Sequence, residues 1–229
     1  MVLNDLCLKI FTRAVIRVTV SIVGVAAVCM SGIAIAADSG EKTVKSLCVQ
    51  CHRIEGKPAA RKTKKAPDLI WAGNKYRQEW LVAWLQKPEF KHYPVGYDFR
   101  PERKKPHLAL PADQAKAVTQ YLATRKDSRI KEGVMKSGMP EQLARGEQLY
   151  REHGCQNCHF TPAKTPRGHV GGTSSTSLLK LSERLNPDWV YRFNQNPDDF
   201  EPESGAYIPK PPLPDEDIYA ITAYMMTFK

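Results

Sequence analysis

The 229 residues predict an all-α protein, two small helical domains in tandem behind an N-terminal export signal. Three observations predict it. A Cys-x-x-Cys-His motif occurs twice at a fixed offset, and apolar positions recur at helical spacing around each copy. Seventeen prolines against fourteen glycines suit short helices joined by loops better than a strand-rich sheet. The length suits one large domain or two of about 100 residues each, and the repeat favours two.

Lys9, Arg13 and Arg17 precede an uncharged apolar or small-residue run from Val18 to Ala37, the layout of an export signal. Ala34 and Ala36 offer small residues at the two positions a signal peptidase reads, so residues 1–36 read as a signal peptide cleaved after Ala36 and the mature chain as periplasmic. The run is also just long enough to span a bilayer, which leaves an uncleaved inner-membrane anchor facing the periplasm as the alternative. A lipid anchor at Cys29 is disfavoured by Val28, where a small residue is expected.

Charge is uneven along the mature chain. Residues 37–130 hold 20 Lys and Arg against 10 Asp and Glu, whereas residues 131–229 hold 11 against 13. Export argues against nucleic acid as the partner of the basic half and leaves acidic proteins or anionic surfaces. Taken alone, the run Arg61-Lys62-Thr63-Lys64-Lys65 reads as a solvated loop.

Cys7 and Cys29 lie in the leader; the other four cysteines form Cys48-Val49-Gln50-Cys51-His52 and Cys155-Gln156-Asn157-Cys158-His159, 107 residues apart. A lone Cys-x-x-Cys would leave a zinc site or a thioredoxin-like redox pair open. A histidine directly after both pairs points instead to covalent haem. Each cysteine pair can form thioethers to the haem vinyl groups while the adjacent imidazole reaches the iron, making His52 and His159 the proximal ligands of two haem c groups. A zinc centre would pool four ligands, and a thioredoxin-like pair would start a helix rather than end one.

Other landmarks repeat. Gly40-Glu41-Lys42 and Gly146-Glu147-Gln148 open the helix before each motif, with Val44 and Leu47, or Leu149 and Tyr150, as apolar positions; the copies differ here by one residue. Trp80 to Pro88 matches Trp189 to Pro197, aromatics four apart with proline closing a short helix, and Asn186-Pro187-Asp188 offers the second copy a side-chain cap and a first-turn proline. Leu110-Pro111-Ala112-Asp113 leads into Ala115, Val118, Tyr121 and Leu122. Leu213-Pro214-Asp215-Glu216 leads into Ile218, Ile221, Tyr224 and Met225, so both read as apolar faces of closing helices.

Helix, motif, loop, short helix, long loop and closing helix, twice over, resembles the class I cytochrome c fold. The likeness is to a dihaem member with domains at 37–130 and 131–229 and a linker at about 127–141, carrying Met135 and Met139. The resemblance implies that the first and last helices of each domain cross, with Tyr121 and Tyr224 near the crossing. It also implies that the Pro67 carbonyl, within Ala66-Pro67-Asp68-Leu69, holds the His52 ring by its other nitrogen. Pro162 and Pro166 give the second domain no evident counterpart.

Relatives supply a methionine as sixth iron ligand, from a Met-Pro pair ahead of the closing helix. Here that pair reads Lys105-Pro106 and Ile208-Pro209, and no methionine lies between residues 52 and 135. For the first haem the distal candidates are His107, then Lys105, then His92. For the second, His169, Tyr207, Lys210, Met225 and Met226 are remote options, Met225 matching Leu122 on a packing face, and the distal ligand stays unassigned. Without methionine both haems are expected below ordinary His/Met potentials.

The function expected is electron transfer between redox proteins of a respiratory or lithotrophic chain, with no catalytic residue and an acidic partner docking on the basic first domain. The alternative is a peroxidase-like or gas-binding dihaem protein with an open sixth position on the second haem.

Overall fold

The computed structural model describes residues 39–60, 64–88, 107–162, 164–165, 168–169, 171–172, 175–202 and 212–229. The signal-peptide reading, His92, Lys105, Tyr207, Ile208 and Lys210 lie outside them; of His169 only the backbone is described.

The first half builds α1, described from residue 39 and ending in the π-helical turn Val44–Cys48, then α2 (Ala72–Lys75), α3 (Gln78–Gln86) and α4 (Ala112–Ala123). The second builds α5 (Pro140–Glu152), α6 (Cys155–Cys158), α7 (Leu181–Arg184), α8 (Pro187–Gln195), the 3-10 turn Pro197–Asp199 and α9 (Asp215–Met225). Sequence reasoning did not foresee one small addition to this helical architecture: β1 (Lys164–Thr165) pairs antiparallel with β2 (Gly168–His169). Among the described residues no helix is long and apolar enough to cross a membrane.

In each half the first and last helices meet at a glycine. A Cβ on Gly40 would strike the Ala117 carbonyl beside Tyr121, and one on Gly146 the Ala220 carbonyl beside Tyr224, so only glycine lets these backbones touch. The expected closing-helix faces are seated there: Ala115, Val118, Tyr121 and Leu122 are buried on α4, and Ile218, Ile221 and Met225 on α9. Leu47 departs from its expected place and is 43% exposed. The Val49 amide donates to the Val44 carbonyl, five residues back, and that wider turn rotates Leu47 away from the face Val44 buries.

The halves join through equivalent residues 109 positions apart. Tyr76 and Leu185 form an antiparallel bridge; the Arg77 amide donates to the Arg184 carbonyl and the Asn186 amide to the Lys75 carbonyl, both at 2.9 Å. This exchange is self-complementary, as across a two-fold axis. Asn186 is the N-cap of α8, but its side chain makes no cap bond; its Nδ2 donates to the Asn74 and Tyr76 carbonyls across the junction instead.

Trp71 from the first half enters the second half's core, edge-on to Phe200 at 5.0 Å. Residues after α4 are tied down as well: Ile130 and Met135 are buried, and the Asp188 carboxylate accepts from the Gly133 and Met135 amides.

The solvated-loop reading fails at Lys64, which is only 4% exposed. Its Nζ lies 3.2 Å from Asp68 and 3.5 Å from Glu201, so the lysine closes a charge cluster between the halves; residues 61–63 of the run lie outside the described ones.

Candidate functional site

Each Cys-x-x-Cys-His motif sits at or just past the end of the first helix of its half. In the first, α1 runs into Cys48, and the His52 amide caps it by donating to the Cys48 carbonyl at 2.8 Å. In the second, α5 stops two residues earlier, Gly154 turns the chain with φ +63°, and the motif forms its own short helix, α6, capped by the His159 amide on the Cys155 carbonyl at 3.0 Å. The extra residue in the second copy is absorbed by that break.

All four cysteines, Cys48, Cys51, Cys155 and Cys158, are free thiols. Burial pushes Cys48 and Cys155 up from the ordinary thiol range, with Cys51 and Cys158 adding to the shift of their partners. A reactive redox pair needs the opposite, a thiol made acidic by its surroundings. No group of three or more His, Cys, Asp or Glu side chains able to hold a metal ion is present among the described residues, so the motifs do not pool into one zinc centre.

Both histidines are held in one way. His52 Nδ1 lies 2.6 Å from the Pro67 carbonyl and His159 Nδ1 lies 2.6 Å from the Thr176 carbonyl. An Nδ1–H donated to a carbonyl fixes the tautomer and leaves Nε2 as the free lone pair of the ring. Burial is the main cause lowering both imidazoles, with the carbonyl bond opposing it, so each ring is kept neutral and fit to bind a metal.

Thr176 is the residue that sequence reasoning missed. Pro67 and Thr176 each stand thirteen residues ahead of the matched tryptophans, Trp80 and Trp189, so spacing carried a signal that residue identity did not. The surrounding loops agree: Leu69 donates to the Arg53 carbonyl at 2.7 Å and Leu178 to the Phe160 carbonyl at 2.8 Å.

Of the distal candidates, His107 is brought to the first site. Its ring centre is 6.1 Å from that of His52 and 4.6 Å from that of Trp84, and its Nδ1 lies 2.9 Å from the Leu108 carbonyl. Burial lowers its pKa in turn. Met225 is buried in the second core, its sulfur 3.8 Å from Asn194 Nδ2. Among the described residues no ring faces His159 as His107 faces His52.

The site residues fit a covalently held porphyrin. Each half offers two free thiols and a neutral imidazole with its Nε2 unspent, and a cleft of about 570 Å³ borders Cys51, His52, Ile54 and Asp68. In the second half Cys155 packs against the cluster that holds Trp189, whose buried indole N–H has no partner among the described residues and remains a donor for an acidic group.

A family model described as Cytochrome c matches residues 37–126 and 143–229. No curated protein and no solved structure matches the chain.

Proposed function

The chain belongs to the cytochrome c family, and from that premise we propose that it is a periplasmic dihaem protein passing single electrons between redox proteins of a respiratory or lithotrophic chain. The family's covalent haem c and haem-based electron transfer are its general chemistry; two haems per chain, the compartment and the partners are the proposal. The observation that carries it is the pair of equivalent imidazoles, His52 and His159, each tied by Nδ1 to a backbone carbonyl at 2.6 Å and each following two free thiols.

Bound haem supplies one-electron exchange between Fe(III) and Fe(II), accepted from a reduced protein and passed to an oxidised one, with no substrate bond made or broken. Cys48 and Cys51 would hold the first group, Cys155 and Cys158 the second, and His52 and His159 would present Nε2 to the metal. The carbonyls of Pro67 and Thr176 orient the rings and raise their basicity, which would favour the oxidised form of a bound iron. The 20 basic against 10 acidic residues of 37–130 supply the face for an acidic partner. Residues 1–36 direct export.

The test is the mature protein made in cells that mature c-type cytochromes. A mass equal to the polypeptide plus two haems, two pyridine haemochromes per chain and two one-electron waves in a redox titration are expected. A polypeptide mass with no Soret band overturns the reading. Association with an acidic redox protein should weaken as salt rises; rates indifferent to ionic strength would remove the docking face.

A further inference from the structure

We propose that His107 is the sixth ligand of the iron carried by His52, so that the first haem is held between two histidines. The inference rests on the haem reading above and deepens it. Three features of the segment carry it.

The first is spacing. A histidine nitrogen binds a metal at about 2 Å, which places the ring centre about 3 Å from the ion and two rings sharing one metal roughly 6 Å apart. The His52 and His107 centres are 6.1 Å apart. Their planes are inclined at 61°, which two opposed ligands tolerate because each ring can turn about its own bond to the metal.

The second is the free nitrogen. His52 Nδ1 is taken by the Pro67 carbonyl at 2.6 Å and His107 Nδ1 by the Leu108 carbonyl at 2.9 Å. Each imidazole is left with Nε2 alone, so both are set in the tautomer that offers the far nitrogen to a metal.

The third is positioning. The Leu110 amide donates to the Leu85 carbonyl at 2.8 Å and pins the segment to α3, while Trp84 on that helix packs against the His107 ring at 4.6 Å. A solvated loop histidine needs neither restraint. Trp84 is therefore a positioning residue for the distal ring.

The experiment uses the haem-loaded full chain and the variants His107→Ala, His107→Met and Lys105→Ala, read by electron paramagnetic resonance of the ferric protein and carbon monoxide binding of the ferrous protein. H107A should turn one of the two haems from low to high spin and open that haem, half of the total, to carbon monoxide; added imidazole should restore the low-spin signal. H107M should raise the midpoint of that haem alone and add the long-wavelength band of an iron–thioether bond. The wild type, which needs no variant to fold, should show the near-infrared charge-transfer band of a bis-imidazole ferric haem. An H107A protein with both ferric spectra unchanged, or the spin change appearing in K105A instead, overturns the assignment while leaving the dihaem reading in place. A wild type without haem overturns that reading itself.

Discussion

In the first half of the chain the leading helix runs straight into its haem motif through a π turn; in the second it stops, turns at Gly154 and restarts as α6. The loops that follow differ too. Asp68 is buried beside Lys64 and accepts the Ala59 amide, whereas its equivalent, Ser177, accepts the Leu179 amide on its hydroxyl at 3.3 Å and the Arg184 guanidinium on its carbonyl at 2.7 Å. Yet both halves deliver an imidazole to a carbonyl at the same 2.6 Å. What the two copies share is backbone geometry at the site, and what they have changed is the side-chain chemistry supporting it.

The largest expected difference between the copies follows from those loops. Asp68→Ala would remove the carboxylate 3.2 Å from the Nζ of Lys64, which is 4% exposed, and would take away the acceptor of the Ala59 amide. Breaking a buried ion pair costs about 4 kcal/mol, so urea unfolding should register a loss of that order. Ser177→Ala should lose under about 1 kcal/mol, the worth of one neutral hydrogen bond. Equal losses would mean that the charged cluster is not what supports the first site.

The helix crossings should instead behave alike. Gly40→Ala and Gly146→Ala each drive a methyl group into a facing carbonyl, of Ala117 and of Ala220, and each should cost about 3 kcal/mol in thermal or urea unfolding. A crossing that tolerated alanine in one half alone would show that the helices there separate more easily than the shared packing implies.

Much of this was legible from local pattern. The motifs, the paired aromatics of α3 and α8 and the closing-helix faces lie within one or two turns of the chain, so their periodicity survives folding intact. Nonlocal placement was not legible. Lys64 sits in a basic run, yet it is buried where Asp68 and Glu201, the latter 137 residues away, converge on it. Asn186 has the chemistry of a cap and spends it on carbonyls of the other half. His107 could be named as a candidate because its side chain carries the chemistry. Thr176 could not, because a carbonyl belongs to every residue.

Lys75 and Arg184 are the equivalent cations of the junction and differ in whether they titrate. Burial holds the Lys75 amine down at about 8, aided by Arg184 and opposed by Glu201 and Asp68; its Nζ lies 4.5 Å from the Trp189 ring centre and 5.2 Å from that of Tyr76. An unfolded lysine keeps its proton to about 10.4. Between those values the unfolded chain binds the proton that the folded chain has shed, so stability rises with pH and is lost as pH falls through about 8. The ring contacts favour the charged amine and trim the effect to about 2 kcal/mol. Lys75→Met should flatten that slope in urea unfolding between pH 7 and 10. Arg184→Met should shrink it only in part, since a guanidinium stays charged throughout and its repulsion adds to a depression whose main cause is burial. An unchanged slope in K75M would assign the titration elsewhere.

The smallest effect concerns the carbonyls themselves. Pro67→Ala and Thr176→Ala alter side chains while keeping the backbone oxygens that the His52 and His159 Nδ1 atoms meet. Both variants should keep their haem content, and both midpoint potentials should stay where they are, read by redox titration beside the parent protein. Proline differs from threonine in fixing its own φ, so P67A should loosen the first loop by about 0.5 kcal/mol through the unfolded chain, with no change at the iron. If T176A alone moved the second potential, the hydroxyl would be taking part in seating His159. The two halves would then hold their imidazoles by different means, one through the backbone and the other through a side chain that the first copy lacks.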